Sequence, residues 1–182
     1  LLKMHSHGCL RRQDLPKYIA SVSNDAVALV LKLHASGAVR LAVATHSDEA
    51  EYGWTRDAIT GVPTAHETHC IGEGLAREVL DGLFPPEIAR SFYIVAYLPE
   101  VRGDQDPRNA HKKLHVRRIA EHYGVANTDV LLFDDDTGNC TDTDAGVVAC
   151  LVDKARGFRF SDLLKDGDGG PKYVFARPPL GE

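Results

Sequence analysis

No stretch of this chain approaches the run of about 20 apolar residues that a bilayer-spanning helix needs, so the sequence gives no membrane partner. Positive charge is also short. Against 26 Asp and Glu there are 21 Lys and Arg, a formal net charge of -5, which argues against a nucleic-acid-binding surface. Cysteine is scarce: Cys9, Cys70, Cys140 and Cys150 show no paired spacing. That excludes a disulfide framework and favours a reduced, cytoplasmic compartment. Internal repeats and low-complexity tracts are lacking too. What is present is a hydrophobic content of 43% over 182 residues. This is enough for the core of one α/β domain of ordinary size, and it excludes a disordered chain.

The apolar segments alternate with helical patterns. Asn24 or Asp25 is placed to cap a helix that carries Val27, Val30 and Leu31 at i, i+3 and i+4, with Gly37 as its stop. Residues 39–45 read as a strand, 71–83 as a helix ended by Pro85-Pro86, and 92–98 as a strand rich in aromatic and β-branched residues. Residues 111–123 read as a helix with Val116, Ile119, Ala120 and Tyr123 on its inner face and Gly124 as its stop. Val130–Phe133 then reads as a strand buried on both faces, 138–145 as a short helix, and 147–152 as another strand. A last helix is expected over 158–164, and residues 166–182 read as a poorly ordered tail. Strand and helix in alternation mean parallel strands joined by right-handed crossovers, a three-layer doubly wound α/β sheet over residues 1–165.

The most informative segment is Leu131-Leu132-Phe133-Asp134-Asp135-Asp136, an apolar run that ends in three carboxylates. Ligands of open α/β sheets sit outside the carboxyl ends of the strands. Adjacent carboxylates there repel one another unless a cation intervenes, and the hard, oxygen-seeking choice is Mg²⁺. The plain alternative is an acidic turn that caps the next helix. In a parallel sheet, Thr45 at one strand end, Lys112 at a helix start and Asp134–Asp135 at another strand end reach the same rim. A hydroxyl, an ammonium and a carboxylate-held cation are the partners a phosphoryl group needs.

Val43-Ala44-Thr45-His46-Ser47-Asp48-Glu49, then Lys112, then Leu132-Phe133-Asp134-Asp135-Asp136-Thr137-Gly138-Asn139 resemble the second, third and fourth motifs of the haloacid dehalogenase (HAD) superfamily. The likeness is greatest to its magnesium-dependent phosphatases with little or no cap. It spans about residues 25–152 and implies an HAD-like Rossmannoid fold and a phosphatase that works through an aspartyl-phosphate. Thr45, with His46 and Ser47 beside it, would bind the phosphoryl group. Lys112, or Lys113 if the helix phase shifts by one, would hold nucleophile and phosphate together. Asp134 and Asp135 would position Mg²⁺, and Asn139 would support the acidic loop. The family's first motif, a strand ending Asp-x-Asp-x-Thr, is not found before Thr45. The chain opens on Leu1-Leu2-Lys3, so the expectation is that this motif lies upstream of Leu1. Its strand would then sit mid-sheet between those ending at Thr45 and Asp134. A protein without it would be an inactive HAD-like binding or scaffolding protein.

Little more than a loop and one helix is expected between Leu1 and Thr45, and only a short loop between Leu98 and Lys112, so no large cap is expected. An open site suits a phosphorylated protein side chain, another large phosphorylated partner, or a small ligand enclosed by an oligomer partner. Residues 51–69 are the nearest candidate for a substrate wall. His111 and His115 stand at the i, i+4 spacing that can hold zinc on a helix, but no third ligand is evident. Arg117, Arg118, Asp142 and Asp144 read as solvated helix surface. A receiver-like signalling domain also combines acids, a Thr and a Lys, but in another order along the chain.

Overall fold

The apolar runs form short strands of three or four residues. The computed structural model describes residues 9–45, 68–96, 111–144, 146–160 and 173–175. The chain divides into two compact units, one made of Leu1–Lys3, Val22–Lys32 and Pro99–Glu182, the other of Met4–Ser21 and Leu33–Leu98.

In the second unit, β1 (Cys9–Arg11) pairs antiparallel with β3 (His69–Ile71), with Leu10 opposite Cys70. Strand β2 (Ala42–Ala44) pairs parallel with β4 (Tyr93–Val95), with Val43 opposite Ile94. The ladder runs one residue further at each end. The Tyr93 N–H donates to the Leu41 carbonyl, and the Thr45 N–H donates to the Val95 carbonyl, both at 3.0 Å. After β1 the chain turns into α1 (Leu15–Ala20), with proline in its first turn, where a missing N–H costs nothing. Helix α3 (Gly72–Leu83) buries Leu75, Ala76, Val79 and Leu80 along one stripe, the pattern of a helix laid on a core. Pro85 follows it, and Pro86 opens the single turn α4 (Pro86–Ala89). Phe84 and Phe92 stack across that turn with ring centroids 6.0 Å apart.

In the first unit, β5 (Leu131–Asp134) pairs parallel with β6 (Val148–Leu151), and β6 pairs antiparallel with β7 (Tyr173–Phe175). Helix α5 (Lys113–Tyr123) stops at Gly124, whose φ of 63° is the left-handed conformation that glycine adopts without steric cost. Val116, Leu132, Cys140, Val147 and Ala149 form one apolar cluster. Ala26, Val152 and Phe158 form another, with Phe133 and Phe160 packed on it. Phe158 meets both of these rings edge-on, each centroid 5.4 Å away. Helix α2 (Asn24–Ser36) contributes Ala26 to that cluster and ends before Gly37, at φ 64°.

The described residues are therefore mixed α/β with small parallel and antiparallel sheets. The all-parallel expectation fails at β1–β3 and at β6–β7. The supposed tail supplies β7, which covers the outer edge of β6. Between residue 9 and the start of β2 there are a strand and two helices with a 3-10 turn, more than a loop and one helix. Ser23, rather than Asn24 or Asp25, serves the first turn of α2: its hydroxyl accepts from the Ala26 N–H at 3.4 Å. The Asp25 carboxylate accepts instead from the Phe160 N–H at 3.0 Å. Phe158, next to the Asp153–Gly157 bridge, is buried core and not helical, and residues 161–164 of the helix expected there lie outside the described residues. Strand β5 is not buried on both faces. Leu132 lies in the core, whereas Leu131 is 51% exposed. The aromatic cluster that covers the face of Leu131 reaches only as far as Phe133.

Candidate active site

The acidic loop is built by the end of β5 and the first turn of α6 (Thr137–Thr141). Its three carboxylates do different work. Asp136 is the helix cap: its Oδ1 accepts from the Gly138 N–H at 2.7 Å and from the Asn139 N–H at 3.2 Å. These are two of the donors that a helix start leaves without partners. Asp134 is braced on one oxygen only. Its Oδ1 accepts from the Asp136 N–H and from Asn139 Nδ2, both at 2.9 Å. Its Oδ2 accepts no hydrogen bond among the described residues, and Asp135, partly buried, makes no side-chain hydrogen bond or ion pair with them. The plain reading of the acidic turn as a cap therefore applies to Asp136, while Asp134 and Asp135 keep oxygens free.

Lys112 precedes α5 and is only 5% exposed. Burial penalises its charged form and lowers its pKa to about 8, against the pull of Asp134, Asp135 and Asp136, which favour the proton in that order. The ammonium forms no direct ion pair or hydrogen bond with any described residue. Among the described residues the ammonium thus feels three carboxylates without contacting one. Lys113 is engaged elsewhere: its Nζ lies 2.6 Å from Asp142 Oδ1. Of the two lysines weighed from the sequence, Lys112 is the one beside the acidic loop.

Thr45 follows β2 directly and is 8% exposed, with its N–H held by the Val95 carbonyl. It belongs to the other compact unit. His46, Ser47 and all but the last two residues of the candidate substrate wall at 51–69 lie outside the described residues, as do residues 97–110.

An Mg²⁺ ion keeps several waters and takes one or two protein carboxylates, with the rest of its shell from phosphate. Two adjacent aspartates, one with an unbonded oxygen and the other without any hydrogen bond, fit that demand. Among the described residues no set of three or more His, Cys, Asp or Glu side chains gathers as an all-protein cage would require. The zinc spacing of His111 and His115 dissolves in the fold. Helix α5 starts only at Lys113, His111 lies outside it at φ 55°, and His115 is buried in the core. Nor are Asp142, Asp144 and Arg117 simply solvated. Asp142 receives Lys113 and His111, and Arg117 Nε lies 3.2 Å from Asp144 Oδ2. No local sequence pattern signals the Asp142 contacts, because they join a helix start to the end of a different helix.

Cys140, one turn into α6, packs under this loop with its Sγ 3.7 Å from the Asp134 carbonyl. Burial first, and then the charge of Asp134, raise its thiol pKa to about 11. It is a packing residue and no nucleophile at neutral pH. Compared with known protein families, curated proteins and solved structures, the chain matches none.

Proposed function

We propose that this protein is an Mg²⁺-dependent phosphomonoester hydrolase of HAD type, acting through an aspartyl-phosphate on a phosphoprotein or another large or small phosphorylated substrate. The observation that carries the reading is the buried Lys112 ammonium set beside Asp134 and Asp135 without touching them. The parallel pairs β2–β4 and β5–β6, which end at Thr45 and Asp134, are what a three-layer doubly wound HAD-like sheet would supply.

In this reading Lys112 binds a phosphate oxygen and offsets its charge. Its low exposure keeps water from screening that attraction. For Thr45, with His46 and Ser47 next to it in the sequence, the resemblance implies a phosphoryl-binding role. Asn139 fixes the Asp134 carboxylate so that its second oxygen stays presented. When bound, Mg²⁺ would polarise the phosphoryl group and neutralise charge that develops on it. The attacking carboxylate would be the first Asp of the strand end Asp-x-Asp that the resemblance implies. A full-length protein without that strand end would instead be an inactive HAD-like binding protein.

The test is hydrolysis of para-nitrophenyl phosphate by the full-length protein. Activity should need Mg²⁺, disappear with EDTA, and fall at least about 100-fold in Asp135→Ala, the scale of losing a charge-stabilising group. Hydrolysis that survives both EDTA and Asp135→Ala would defeat the proposal.

A further inference from the structure

The two residues that bracket Lys112 reach one carboxylate. Lys113 Nζ lies 2.6 Å from Asp142 Oδ1, and His111 Nε2 lies 3.6 Å from Asp142 Oδ2. Asp142 is the residue that closes α6, the helix whose first turn is fastened to the acidic loop through Asp136 and Asn139.

The backbone between those two contacts is under strain. His111 sits at φ 55°, and among the described residues it is the one non-glycine with positive φ. For a side-chain-bearing residue this region costs about 1–2 kcal/mol. Helix α5 also begins without a side-chain cap, since Lys112 at its N-cap position makes no capping bond. A strained, uncapped entry persists only where its surroundings hold it. The His111 ring is seated on the first turn of α6: a Cβ added at Gly138 would come within 2.7 Å of its Cε1. Glycine at 138 makes that seat possible. The Lys113 end of the clasp is sheltered, with its side chain only 13% exposed, while Asp142 is 51% exposed.

We infer that Asp142 is a positioning residue: by pairing with Lys113, while the His111 ring rests on the first turn of α6, it ties the start of α5 to α6, so the Lys112 amine and the Asp134–Asp136 loop are held as one body. This deepens the phosphatase reading, because the amine it positions is the one that reading puts on the phosphate. An exposed ion pair by itself contributes little to stability. The role of Asp142 is geometric, and its loss should show at Lys112 more than in the melting temperature.

The experiment reads the Lys112 amine directly, by its rate of acylation against pH in the intact full-length protein, followed by mass spectrometry. Among the described residues, the charged groups acting on that amine are Asp134, Asp135 and Asp136. Its midpoint in the wild type should lie near 8. Desolvation is the largest influence on it, so a loosened turn that admits water should raise the midpoint toward the ordinary 10.5, by about one pH unit in Asp142→Ala. Lys113→Met should shift it the same way, the double variant should add little further, and Asp142→Glu should restore part of the difference. Glu121→Gln removes an exposed carboxylate paired with Arg118 on the same helix and should leave the midpoint unchanged. A wild-type midpoint retained in Asp142→Ala, or in Lys113→Met should the first variant not fold, overturns the inference. The readout needs no turnover, so a protein that hydrolyses no phosphate ester would sink the functional proposal while leaving this one to stand or fall by itself.

Discussion

Lys112 should be a residue whose removal stabilises the protein while abolishing its chemistry. An amine that titrates at about 8 when folded and at about 10.5 when unfolded binds its proton less tightly in the native state. Each tenfold loss in proton affinity is about 1.4 kcal/mol, so keeping Lys112 charged at pH 7 costs the fold about 3 kcal/mol. Lys112→Met keeps the length and packing of the stem and removes the charge. At pH 7, in EDTA and without phosphate, urea unfolding should find the variant more stable by up to about 3 kcal/mol. The pH dependence is the sharper signature. Below about 8 both states of the wild-type lysine are protonated and the full penalty applies. Between about 8 and 10.5 the folded state loses its proton while the unfolded state keeps it. Wild-type stability therefore rises relative to the variant across that window, and above it the two converge. Hydrolysis by the variant should meanwhile fall about 100-fold or more. A variant that is less stable at pH 7, or a gap that stays constant from pH 7 to above 10.5, would refute the account of Lys112 as a desolvated cation.

Two further outcomes test the frame around it. Asn139→Ala removes the side-chain donor to Asp134 Oδ1; it should weaken Mg²⁺ binding by about 10–100-fold in a calorimetric titration and cost about 1–2 kcal/mol of stability, and unchanged Mg²⁺ affinity would count against the brace. Cys140, buried and with its thiol raised to about 11, should resist iodoacetamide in the folded protein at pH 8 and react once guanidinium unfolds it; alkylation of native Cys140 at the rate of a free thiol would show the loop to be open.

The sequence by itself determined the local elements whose cause is local. The apolar stripe of α5 and its stop at Gly124, the parallel strands that end at Thr45 and Asp134, and the carboxylates next to β5 all follow from periodicity, glycine conformation and residue type. The resemblance also singles out Asn139, whose side chain donates to Asp134 Oδ1 from the first turn of α6. Only the tertiary structure decided how the three aspartates divide their work, since capping by Asp136 depends on where the α6 backbone N–H groups point. It alone showed that Lys112 is buried while Lys113 pairs with Asp142, because burial is a property of the packed turn and adjacent residues of one type look alike in sequence. The antiparallel partners β1–β3 and β6–β7 were likewise invisible, because their pairing joins segments far apart in the chain with strands of three or four residues, too short to carry a period. Asp142 shows the same limit. A carboxylate at the end of one helix acquires its role only when another helix start is brought against it, and no spacing along the chain encodes that meeting.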